Sequence, residues 1–163
     1  GALTELLADT PEMGLSLAAP LLATLTQQGK TVALVQPPLI PYAPGLEQAG
    51  IRLERLLWVK SRGADDSWWS AEQLLRCKAI GGVLLWTGAA NDRQLRRLQL
   101  AAESSTAIGI LFRASREARN GSPAALRLSL QPRRDHLRVG IQKCRGGSAA
   151  GASLDMPLRG YSG

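Results

Sequence analysis

Residues 3–35 constrain this chain more than any other stretch. Leu3-Thr4-Glu5-Leu6-Leu7 is an apolar run of strand length. Ala8–Gly14, which contains Asp9, Thr10 and Pro11, reads as a turn, and Leu15–Thr26 as a helix halted by Gly29. Thr31–Val35 is a second strand, apolar and β-branched. Strand, turn, helix and strand make the opening unit of an α/β domain, because two parallel strands need a crossover long enough to hold a helix. In phosphate-binding versions of that unit, glycines let backbone N–H groups wrap the phosphates and a Lys precedes a Ser or Thr. Here Gly14 and Ser16 stand for the last Gly and the hydroxyl, but Leu15 fills the Lys position, and Asp9 and Glu12 bring negative charge to the turn. The residues Ala8, Gly14, Leu15 and Ser16 thus predict the fold of a nucleotide-binding core without the nucleotide chemistry, and no cofactor.

The rest of the chain continues the alternation. Pro37, Pro38, Pro41 and Pro44 keep the stretch after the second strand irregular, up to a short helix at Gly45–Ala49. Ile51–Arg55 leads into a third strand, Leu56–Val59. Asp65-Asp66-Ser67 reads as the cap of a helix from Trp68 to Lys78, with Trp69, Leu74 and Cys77 on its inner face. Adjacent Trp68 and Trp69 cannot share a face, so one of them is more exposed. Gly82–Trp86 is continuously apolar, as a central parallel strand must be. Asn91 or Asp92 caps a helix to Glu103, with Leu95, Leu98 and Ala102 inward and Arg93, Arg96 and Arg97 outward. Ala107–Phe112 is a fifth strand, and Arg113–Pro123 reads as a mobile loop. Ala125–Gln131 and Leu137–Cys144 alternate apolar and polar residues about a turn at Pro132–Asp135, the pattern of a hairpin. Gly146–Gly151 reads as a flexible Gly/Ser/Ala segment, and Leu154–Leu158 as a last short strand. The expected organisation is one domain over residues 1–158 and a tail at 159–163. A chain opening on Gly1 rather than Met also points to a preceding segment.

Charge is unevenly spread. The chain has 163 residues and a net charge of +7. Residues 1–112 hold ten basic and ten acidic side chains, whereas residues 113–163 hold ten basic and three acidic. Nine of those last ten are Arg, whose fork suits phosphate and carboxylate. The excess reads as a surface for DNA or an acidic protein, against the plain alternative of solubility. The candidate contact residues are Arg113, Arg116, Arg119, Arg127, Arg133, Arg134, Arg138, Lys143 and Arg145. The single histidine, His136, reads as a surface residue without a nucleophile to serve. Cys77 and Cys144 lack metal-ligand spacing and read as two reduced thiols of a cytoplasmic protein. No metal or catalytic motif is recognisable, and no apolar run is long enough for a membrane span.

The order of elements resembles the RecA core. The strand and turn up to Ser16 resemble its phosphate loop, with Leu15 in place of Lys. Gly29–Pro38 resembles the next strand, where the family's catalytic acid falls on Pro38. Gly82–Thr87 resembles the strand carrying the Mg²⁺-organising Asp, which falls on Trp86. Leu, Pro and Trp at three such positions imply no ATP hydrolysis, because phosphoryl transfer depends on Lys and metal to offset developing charge. Lys143 and Arg145 match basic positions that in RecA filaments reach a neighbour's nucleotide, and Arg113–Pro123 falls where the family has a DNA-binding loop. The fold implied is α/β: a RecA-like three-layer sandwich whose mostly parallel sheet is extended by a C-terminal antiparallel hairpin. Among degenerate relatives, Gly1–Leu6 resembles both the SulA-like division inhibitors and the ImuA proteins of damage-induced mutagenesis. Pro37–Pro44 and the Arg-rich hairpin look more like ImuA. The ImuA resemblance implies a non-enzymatic partner of an ImuB-like inactive Y-family polymerase, an error-prone replicative-type polymerase, RecA and DNA, and allows self-association. The SulA resemblance implies FtsZ instead.

Overall fold

The computed structural model describes residues 1–157, without the side chains of Pro11 and Glu12. Expectations placed on Glu12, on Leu158 and on the tail at 159–163 lie outside those residues. Eight strands join in one sheet, in the order β3-β2-β4-β5-β1-β6-β7-β8. They are β1 (Ala2–Leu7), β2 (Thr31–Val35), β3 (Leu56–Val59), β4 (Ile80–Trp86), β5 (Ile108–Arg113), β6 (Leu126–Pro132), β7 (His136–Cys144) and β8 (Ser153–Pro157). The first six pair in parallel and the last two add antiparallel. The expected RecA-like α/β architecture is present.

The helices sit where the apolar pattern demands cover. Helices α1 (Pro11–Gln27) and α2 (Ala43–Gln48) lie on one face, and α3 (Ala64–Arg76) and α4 (Asp92–Glu103) on the other. A core therefore forms on each side of the sheet. Val32, Leu34, Leu84 and Ile110 meet Ala19 and Leu22 of α1 on the first side. Ala33, Val83, Leu85 and Leu111 meet Leu75, Leu95 and Leu98 on the second. Strand β4 is buried at every position, which explains its unbroken apolar run.

Several local expectations change. The turn read at Ala8–Gly14 is shorter, because α1 already starts at Pro11, whose ring fixes a helical φ and whose missing N–H is no loss in a first turn. Helix α3 is capped by Gly63, not by Asp65-Asp66-Ser67. Both aspartates lie inside its first turn, where the helix dipole favours them. Its inner face is Trp68, Ala71 and Leu75, whereas Trp69 is 61% exposed and Cys77 also faces out. Helix α4 follows the expectation: Asn91 accepts from the Gln94 N–H at 2.9 Å, and Gln94 returns the bond at 3.1 Å. Gly146–Gly151 belongs to an ordered β7–β8 connection, in which Gly151 N–H donates to Ile141 O at 2.8 Å and both end glycines take positive φ. Arg113–Pro123 is structured too. Arg113 ends β5, and Ser115–Arg119 forms a 3₁₀ turn with Glu117 buried.

Candidate functional site

The carboxyl ends of β1, β2, β4 and β5 converge on a cavity of about 570 Å³ lined by Ala8, Asp9, Gln36, Trp86, Phe112 and Ala114 among others. Open α/β sheets bind ligands at this edge. The chain leaves β1 after Leu7 and enters α1 at Pro11, so only Ala8, Asp9 and Thr10 connect them. That span is too short to fold a wrapping loop of backbone N–H groups. The space over the first turn of α1 is taken by an aromatic pair. Trp86 and Phe112 stack with ring centroids 4.4 Å apart and planes 8° from parallel. A Cβ on Gly14 would lie 2.2 Å from Phe112 Cε1, so this glycine yields room to a ring rather than to a phosphate. Leu15 packs at the margin of the α1-side core and Ser16 faces solvent. Trp86 is buried in the same core, and Pro38 lines the cavity.

Asp9 and Gln36 at this edge hold loops together. Asp9 accepts hydrogen bonds from Ser115 Oγ and from the Ser115 N–H, the latter at 3.2 Å. These bonds hold the Asp9 carboxyl below its usual range, so it stays ionised at a mouth that Arg62 also lines. Gln36 adopts φ +52°, while its Oε1 accepts from the Ser61 N–H at 3.1 Å. Among the described residues, no cluster of three or more His, Cys, Asp or Glu has metal-binding geometry.

The basic C-terminal third divides into two sets. Arg113 and Arg127, read from sequence as contact candidates, are buried in an ion cluster. Arg127 Nε donates to Glu5 Oε2 at 2.6 Å, and its Nη1 and Nη2 donate to the carbonyls of Asn120 and Glu117 at 3.0 Å each. Arg113 donates to Glu5 at 3.1 Å and to Glu117 at 2.6 Å. Two guanidinium groups and two carboxylates thus balance, and all four are removed from solvent. Sequence spacing gave no sign of this, since Glu5 and its partners are brought together only by the adjacency of β5, β1 and β6. A glutamate inside an otherwise apolar strand was the available signal, because a buried carboxylate requires a buried cation.

The other basic residues of this third that the structure describes lie at least partly exposed. Lys143 Nζ donates to Ser122 O at 2.7 Å, and Arg145 donates to Glu103 at 2.7 Å and to Pro123 O at 2.8 Å. Both are tied within the chain. Arg138 forms a two-pronged pair with Asp155 at 2.9 and 3.1 Å, which holds the Asp155 carboxyl low. His136 is half-buried between Asp135, at 2.7 Å, and Asp155, at 3.5 Å. Arg119, Arg133 and Arg134 form no ion pair among the described residues, and Arg116 reaches Glu117 only at 3.9 Å.

No protein-family model matches the chain, and comparison with curated proteins gives no match. Solved structures do match. SulA from Pseudomonas aeruginosa superposes with a TM-score of 0.58 at 25% identity, covering 70% of this chain and 98% of SulA. The RadB recombinase superposes with a TM-score of 0.70 at 15% identity, covering 96% of this chain and 87% of RadB. The fold is therefore of the SulA and RecA-like class. No helix among the described residues is long and apolar enough to cross a membrane.

Proposed function

We propose that this protein is a non-enzymatic, ImuA-like accessory of the bacterial DNA-damage response, acting by binding partners in translesion synthesis. The stacked Trp86–Phe112 pair, seated against Gly14 at the first turn of α1, carries the reading. It fills the ground where a hydrolase of this fold holds phosphates, so the core serves as a scaffold. The partners are an ImuB-like inactive Y-family polymerase, an error-prone replicative-type polymerase, and RecA with its DNA. The basic third of the chain is the side that meets nucleoprotein. The likeness to SulA supports the SulA and RecA-like class that both readings share, and 30% of the chain lies beyond the 70% that SulA covers. Copurification of the full-length protein with the ImuB-like polymerase and with FtsZ, run in parallel, tests the proposal. Capture of the polymerase alone is expected, and capture of FtsZ alone overturns it.

The second reading is a SulA-like division inhibitor, favoured by the 25% identity extending over 98% of SulA. It predicts that near-stoichiometric protein suppresses FtsZ assembly followed by light scattering. Unchanged assembly removes it.

A further inference from the structure

The sheet continues past its helical cover. On the face shared with α3 and α4, the ion cluster and the 3₁₀ turn at Ser115–Arg119 reach as far as β6. Beyond them, register places Ser129, Gly140 and Ser153 in one cross-strand row, and Gln131, Arg138 and Asp155 in the next. Side chains alternate across a strand, so these rows share one face, and the apolar Leu130, Val139 and Leu137 take the other. Ser129, Gln131, Arg138, Gln142 and Ser153 of this face line a shallow trough of about 330 Å³, with Ile141 and Ala152 at its wall. Gly140 keeps the trough open, since a Cβ there would lie 2.6 Å from Ser129 Oγ. Gln142 Nε2 donates to Ser129 Oγ at 3.0 Å, and Arg133 donates to Gln131 at 3.0 Å.

Exposed cations stand on the segments next to this face. Arg116 and Arg119 project from the 3₁₀ turn packed beside β6, and Arg133 and Arg134 from the β6–β7 turn. The Asp155 charge is answered by Arg138, and the Glu117 charge by Arg113. Asp135 follows Arg134 in the same turn and is paired with His136, and Arg116 lies near Asp9 and Glu117. Arg119, Arg133 and Arg134 form no ion pair among the described residues, beside a row of amide and hydroxyl groups that carries no aromatic side chain. Amides, hydroxyls and free guanidinium groups are the donors that contact phosphate and sugar, and a face without aromatic rings offers no base-stacking platform.

We infer that the polar face of β6, β7 and β8 is a track for the phosphodiester backbone of DNA, bound without regard to sequence. The choice of DNA as the polyanion rests on the damage-response reading. Loss of polymerase copurification would strike that reading and leave this surface standing.

The test is fluorescence anisotropy of a labelled mixed-sequence DNA duplex, and of a labelled single strand, with the full chain. Neutralising three or four phosphates predicts a slope of log affinity against log salt of about −2.7 to −3.6 on duplex DNA. The double variant Gln131→Glu/Gln142→Glu adds two carboxylates at exposed positions without changing side-chain size. It should weaken binding about tenfold in low salt. Arg93→Gln/Arg96→Gln makes the same change in net charge on the outer face of α4 and should leave affinity within about threefold. Circular dichroism establishes that both variants fold. Absence of DNA binding by the wild type in low salt overturns the proposal, including the case where only an acidic protein binds. Equal weakening by both variants also overturns it, because net charge alone would then account for the binding.

Discussion

Arg127 Nε meets Glu5 Oε2 at 2.6 Å across a separation of 122 residues. The contact joins the parallel core to the antiparallel extension at the β1–β6 boundary, where parallel pairing runs for only four residues, Thr4–Leu7 against Leu126–Ser129. Buried ion pairs of this kind add little net stability over an apolar replacement, but breaking one side leaves an orphaned charge. A buried pair at this boundary can fix which strand lies beside β1 and in what register.

Glu5→Ala should therefore destabilise the protein by about 3–5 kcal/mol, because Arg113 and Arg127 are left buried against a single carboxylate. Chemical denaturation measures the loss. Removing both arginines together with Glu5, as Glu5→Leu/Arg113→Met/Arg127→Met, should recover most of it. A triple variant no more stable than the single one would show that the cluster does more than balance charge.

Gly14→Ala should cost about 1–3 kcal/mol, since its methyl meets the Phe112 ring and an overpacked core strains its neighbours. Phe112→Ala alone should cost about 3–5 kcal/mol. In the double variant the Gly14→Ala penalty should vanish, giving a favourable coupling of about 1–3 kcal/mol in a double-mutant cycle. Additive losses would mean that the ring does not sit against α1.

Magnesium ATP should leave the melting temperature unchanged. A site occupied at a hundred times its Kd would add about 2.7 kcal/mol and raise Tm by about 5–10 °C for a chain of this size. Differential scanning fluorimetry across millimolar ATP resolves a shift far smaller than that. A rise of that size would restore nucleotide binding to the protein.

Acidification should release the Asp9–Ser115 tie. The Asp9 carboxyl is held low by its bonds from Ser115, so the folded state favours the ionised form. A depressed folded pKa means that the stabilisation is present above the unfolded carboxyl's pKa and is lost as pH falls through the folded value. Ser115→Ala should move the Asp9 titration upward, toward the ordinary carboxylate range, in a carboxyl-detected NMR titration. An unmoved titration would show that the tie is absent in solution.

Local pattern carried much of this architecture. Strands β2, β4 and β5 and the hairpin of β6 and β7 were readable because burial on two faces demands unbroken apolar runs, whereas burial on one face demands alternation; β3 has an apolar run too, but at the sheet edge Leu57 and Trp58 stay exposed. Leu15, Pro38 and Trp86 were readable as departures from a phosphate-binding pattern because that chemistry requires particular residue types at fixed spacing. Helix starts were less legible. Proline at the first helical position and glycine at a cap both resemble loop sequence, so α1 and α3 begin earlier than their composition suggests. Trp68 and Trp69 are chemically identical neighbours, and only the helical phase set by the true start of α3 chooses which one enters the core.

The sequence by itself determined the class of fold, the loss of the phosphate-binding residue pattern and the concentration of positive charge in the last third. The tertiary structure alone decided which of those arginines are free. Arg113 and Arg127 carry the same side chain as Arg133 and Arg134, but strand order brings the first two beside Glu5 and leaves the second two in the turn between β6 and β7. Charge is a property of the residue, whereas its availability depends on the desolvation and partners imposed by segments more than a hundred positions away.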